Sequence, residues 1–164
     1  MGSVHVRNIA RLIPGANLVA VCDIRLDVAQ AVADECGIQR VVQDYHALLA
    51  QPGIEAVLIA TSTPSHAFIM RDVARAGKHI FCEKPIALNP SDARRMVQTA
   101  QQTGKLLMVG HVLPFFPEYK FAYEAITGGK YGKLQGGHFK RIISDPLWLP
   151  DFYNPKTIGG PMLD

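Results

Sequence analysis

The chain has 164 residues, 48% of them hydrophobic and 19% charged, enough for one sizeable domain with its own core. Its formal net charge is +3 and its basic residues are scattered singly, which speaks against nucleic acid or a membrane surface as partner. The apolar runs fall far short of the roughly 20 residues that span a bilayer, and neither a signal peptide nor a lipidation motif is recognised.

The first predicted element is a helix over residues 4–13, with Val4, Ile9, Leu12 and Ile13 on or near one face. Pro14-Gly15 stops it. Residues 18–22, "LVAVC", form a continuous β-prone run, the mark of a strand buried on both faces. A helix over 26–36 follows, closed by Gly37. A short strand at 40–42 and a short helix at 45–50 lead to the turn Pro52-Gly53 and to a second buried strand, "AVLIA", at 56–60. A helix at 66–76 ends at Gly77, a strand occupies 79–82, and a helix at 90–103 lies between Asn89 as N-cap and Gly104 as stop. A strand at 106–109 completes the series.

Strands alternating with helices through short turns predict an α/β, doubly wound parallel sheet of Rossmann type. After Gly110 the character changes to aromatic and proline-rich, with a helix expected at 118–127, a glycine-rich connector and a strand at 137–143. The expected boundary lies near residue 113. Residues 1–113 form the nucleotide-binding unit and 114–164 the beginning of a second, α+β domain. The three cysteines, Cys22, Cys36 and Cys82, make no CxxC pair. Neither a metal site nor a disulfide is therefore expected, and a reducing cytoplasm is the expected compartment.

In open parallel sheets ligands bind at the carboxyl ends of the strands. The informative residues are thus Asp23, the loop Thr61-Ser62-Thr63-Pro64-Ser65-His66, Glu83-Lys84-Pro85, and Gly110-His111. Asp23 stands where an acid accepts hydrogen bonds from an adenosine ribose, and Gly2, 21 residues earlier, stands where the third glycine of a dinucleotide fingerprint belongs. Asp23 as a helix N-cap is the alternative. Arg25 beside it keeps a 2′-phosphate, and so NADP, open alongside NAD.

These stretches together resemble the Gfo/Idh/MocA oxidoreductase family, which includes glucose-fructose oxidoreductase and inositol 2-dehydrogenase. "MGSVHVRNI" is similar to the tail of that family's glycine-rich opening, "VCD" to its ribose-binding strand end, and "TSTPSHA" to its loop ending in His-Ala. "AGKHIFCEKPIAL" matches its most recognisable motif, "GH" at 110–111 its nicotinamide-side turn, and "GGPMLD" the start of a stretch that continues to a catalytic His. The resemblance implies an NAD(P)-dependent dehydrogenase acting on a sugar, a cyclic polyol or a related carbonyl compound. It implies Lys84 and Asp164 as catalytic groups, and a cis Lys84–Pro85 bond. Gly2, Asp23, Arg25, Ser62, Thr63, His66, Glu83, Lys84 and His111 are the cofactor-binding set. His5 is assigned to helix packing, and His66 is divided between helix start and cofactor contact.

The family's first strand and first two glycines are not found here, nor the His after Asp164. The expectation is therefore a piece of a longer, homo-oligomeric parent, with the absent strand belonging between those at 18–22 and 56–60. A non-catalytic cofactor-binding regulator and an NAD-dependent glycosidase are the alternative readings.

Overall fold

The computed structural model describes residues 1–140 together with Ile142, Ser144, Tyr153, Asn154 and Lys156. Helix α1 (Gly2–Leu12) opens the chain, followed by β1 (Val21–Cys22), α2 (Leu26–Cys36), β2 (Val41–Val42), α3 (His46–Leu49) and β3 (Ala56–Ile59). Then come α4 (Thr63–Arg75), β4 (His79–Cys82), α5 (Pro90–Thr103) and β5 (Leu107–Val109). A short 3₁₀ turn, Leu113–Phe115, precedes α6 (Pro117–Thr127). The alternation of strand and helix expected from the sequence is present, and every strand pairing among the described residues is parallel.

Among the described residues the strands form two sheets rather than the single one expected: β1 beside β2, and β3-β4-β5 with β4 in the middle. The break falls between β1 and β3, the two strands expected to flank the absent one. It also explains why β1 is shorter than its apolar run. Regular pairing extends only where Val21 and Cys22 meet Val41 and Val42.

Local chemistry sets the helix limits. The Asn89 side chain accepts the Asp92 N–H at 2.8 Å, Pro90 occupies the first turn, and Gly104 turns left-handed at φ +66° to end α5. Gly37 ends α2 in the same way, at φ +71°. Helix α4 starts three residues earlier than the sequence reading. Pro64 suits a first turn because its fixed φ is helical and its missing N–H would have had no partner there.

The larger core lies between the three-stranded sheet and helices α4 and α5, where Ile59, Met70, Val73, Ile80, Cys82 and Met96 are each 3% exposed or less. Full burial of one such side chain contributes roughly 1.5–3 kcal/mol, which fixes this sheet as the rigid floor under the strand ends. A smaller cluster, with Ala29, Val32 and Ala33 of α2 buried, belongs to the two-stranded sheet. Residues 137–140 carry no strand, and the rest of the strand expected at 137–143 lies partly outside the described residues. None of the described helices is long and apolar enough to cross a membrane.

Candidate active site

The parallel register aligns Ile59 with Cys82 and Cys82 with Val109. The residues just beyond these three strands therefore sit side by side: the loop from Ala60 to Ser62, the pair Glu83-Lys84, and Gly110-His111. Main-chain bonds lock the row. The Glu83 N–H donates to Ile59 O and the Gly110 N–H to Cys82 O, both at 2.9 Å.

Glu83 is the hub of this row. Its side chain is only 11% exposed. Its Oε2 accepts the backbone N–H of Lys84 at 2.9 Å, and its Oε1 lies 2.6 Å from Nε2 of His5 in α1. The His5 ring also meets the edge of Phe81, centroids 5.7 Å apart. Gly110 leaves room for the carboxylate: a Cβ there would stand 3.2 Å from Glu83 Oε2. His5 thus joins the site, where its sequence position alone points to helix packing. Lys84 is half-buried and is followed by a cis peptide bond to Pro85.

His66 holds the other flank. It is 1% exposed, with Nδ1 3.0 Å from Pro85 O and Nε2 3.0 Å from Thr61 O. Both ring nitrogens face main-chain carbonyls, so the ring braces two loops from beneath and does not face the cleft. Thr63 is also buried, whereas Ser62 and His111 are exposed. Cys82 lies under the row at 0% exposure. Burial, and then the adjacent Glu83 carboxylate, push its thiol up to about 12.

On the other sheet, Asp23 directly follows β1. Its Oδ1 accepts the Arg25 N–H at 2.9 Å, and its Oδ2 has no hydrogen bond from the described residues. The N-cap of α2 is Arg25, with no side-chain cap bond, so Asp23 does not cap that helix. The Arg25 guanidinium reaches Asp23 only loosely, at 3.8 Å. Helix α1 begins with no side-chain cap and no acid in its first turn. The Val4 and His5 N–H groups both bond Met1 O, which leaves the first N–H groups pointing out of the helix end, suited to an anion. A Cβ on Gly2 would meet nothing closer than Ala60 Cβ at 3.9 Å. An acid with a free oxygen can accept from a diol, and an uncapped helix start can donate to a phosphate. Asp164 lies outside the described residues. A separate hollow of about 240 Å³ beside Ala125, Ile126 and Tyr131 holds none of these residues.

The sequence model of the Gfo/Idh/MocA group, described as an oxidoreductase family with an NAD-binding Rossmann fold, matches residues 1–111. Myo-inositol 2-dehydrogenase of Thermotoga maritima is 32% identical over 164 residues, covering 100% of this chain and 48% of that protein. The scyllo-inositol 2-dehydrogenase (NAD(+)) of Bacillus subtilis is 36% identical over 133 residues, 81% of this chain and 39% of its own. Among solved structures, scyllo-inositol dehydrogenase from Lactobacillus casei with bound NAD(H) and scyllo-inositol superposes with a TM-score of 0.74. It is 29% identical and aligns over 80% of this chain and 39% of that one. The chain spans about half the length, or less, of these relatives.

Proposed function

The chain belongs to the Gfo/Idh/MocA family of NAD-binding Rossmann oxidoreductases, and from that premise we propose that it forms the cofactor-binding part of an NAD-dependent dehydrogenase of a cyclic polyol or sugar. The observation that carries the reading is the row at the strand ends, where Lys84 follows a buried, doubly anchored carboxylate on the rigid sheet. Asp23 holds the adenosine ribose hydroxyls, the start of α1 faces the pyrophosphate, and Ser62 and His111 border the nicotinamide side. Bound NAD supplies the hydride acceptor. Lys84 then does the proton work: its amine hydrogen-bonds the reacting hydroxyl, steadies the alkoxide charge that develops on oxygen, and relays the proton away. Glu83 keeps the main chain at Lys84 in place while this happens. Asp164 is assigned to the substrate hydroxyls, and residues 114–164 to the start of a unit that covers the cleft. The whole protein is assigned to the cytoplasm, as a homo-oligomer.

The test is a panel of inositol isomers and hexoses offered to the whole protein with NAD, following absorbance of the reduced nicotinamide. Turnover of at least one polyol is expected. Lys84→Ala should lower kcat by about 10²–10⁴-fold, the usual range for a lost acid–base group, while the Kd for NAD changes far less. Near-normal turnover in Lys84→Ala would remove the lysine from the chemistry.

A further inference from the structure

His5 and Glu83 are 78 residues apart in sequence, and their 2.6 Å contact spans two elements. His5 stands in the first turns of α1, the helix whose start faces the proposed pyrophosphate position, and Glu83 stands at the end of β4. The carboxylate has two anchors and no spare room. One oxygen takes the His5 ring N–H and the other takes the Lys84 main-chain N–H. Gly110 presses from the third side, with no side chain between. Exposure of the His5 and Glu83 side chains is 21% and 11%, so water competes weakly for the contact.

We propose that His5 is a positioning residue for Lys84, acting through Glu83 to hold the backbone of the lysine and to tie the phosphate-facing helix to the turn that carries the amine. Without the His5 N–H, the Glu83 carboxylate is fastened at one end only. It then has a second rotamer open to it, and the Lys84 N–H loses its fixed acceptor. Displacement of a catalytic amine by a fraction of an ångström costs turnover more than binding. The inference rests on the reading of Lys84 as the proton-handling group, but its first readout does not.

That readout is amide-resolved hydrogen exchange at Lys84 in the cofactor-free protein. His5→Leu, similar in bulk but without a donor, should speed exchange at Lys84 by about tenfold or more, as expected for a lost local hydrogen bond. His5→Gln places an N–H the same number of bonds from the backbone as His5 Nε2, and should stay within about threefold of the parent rate. In the whole enzyme the same order should hold for kcat: a loss of about tenfold or more in His5→Leu, recovery in His5→Gln, and a KM for NAD changed by less than about threefold in both. If His5→Leu does not fold, His5→Asn substitutes for it: polar, but one bond too short to reach Glu83, it should exchange fast. Slow exchange in that variant overturns the proposal, as do unchanged exchange in His5→Leu or equal losses in His5→Leu and His5→Gln. Near-normal turnover in Lys84→Ala sinks the catalytic reading and leaves the exchange result standing. An inactive Lys84→Ala beside a fully active His5→Leu sinks only the inference.

Discussion

At the scale of single residues, the groups that sit after strands were the legible ones. Glu83, Lys84 and Asp23 break apolar runs with charge, and a charge at the end of a buried strand has few places to go except a cleft or the surface. Asp23 is open on Oδ2 and repels a second phosphate, so NAD should bind more tightly than NADP; Asp23→Ala should narrow that gap, read as the ratio of the two dissociation constants by calorimetry. A preference for NADP would shift the weight to Arg25. Cys82 gives a second test at this scale. Its thiol is pushed up to about 12 by burial and then by Glu83, so at pH 8 it stays protonated and should resist iodoacetamide in the native state. The sign follows for stability: a thiol whose folded value lies above its ordinary 9.0 favours the folded state below pH 9, and that contribution is lost as pH rises toward 12. A native Cys82 that alkylates as fast as the unfolded chain at pH 8 contradicts the burial. His5 and His66 were less legible, because the partner of His5 is 78 residues away and one of the two partners of His66 is 19 away. Periodicity says which face of a helix a histidine occupies, not which carboxylate or carbonyl waits on the next element.

At the scale of elements, the sequence carried most of the fold because stop signals and periodicity agree. The strand at His79–Cys82 and the helices at Leu26–Cys36 and Pro90–Thr103 have the limits read from glycine, proline and Asn89. Where reading and structure part, a tertiary cause is visible. The start of α4 moved because Pro64 belongs in a first turn, and β1 shrank because pairing reaches only two of its residues. The Asn89 cap gives a quantitative test. Asn89→Ala removes the acceptor of the Asp92 N–H and should cost about 1 kcal/mol in urea unfolding, a fall in Tm of roughly 2–4 °C for a chain of this size. Asn89→Ser should recover most of it. A loss below about 0.3 kcal/mol would mean that Pro90 and packing hold the end of α5 without the cap.

At the scale of the molecule, the two sheets set the chain's behaviour in isolation. Among the described residues β1 pairs only with β2 and β3 only with β4, so each offers an edge whose N–H and C=O groups can take another strand. One face of the three-stranded sheet is closed by α4 and α5, with Ile80 and Cys82 beneath them. On and just before β5, Leu106 is 73% exposed and Met108 53%, while Leu107 between them packs on the core. β5, the other edge of that sheet, is thus an open edge beside exposed apolar groups, a template for pairing with a second copy. The 164-residue chain expressed alone should therefore self-associate. Sedimentation velocity over a concentration series should give a weight-average mass above the 18.0 kDa of one chain and rising with concentration. Met108→Lys should lower that mass at every concentration, because a charge on that face costs far more buried in an interface than in water. A constant 18.0 kDa across the series would show that the open edges are covered within the chain itself.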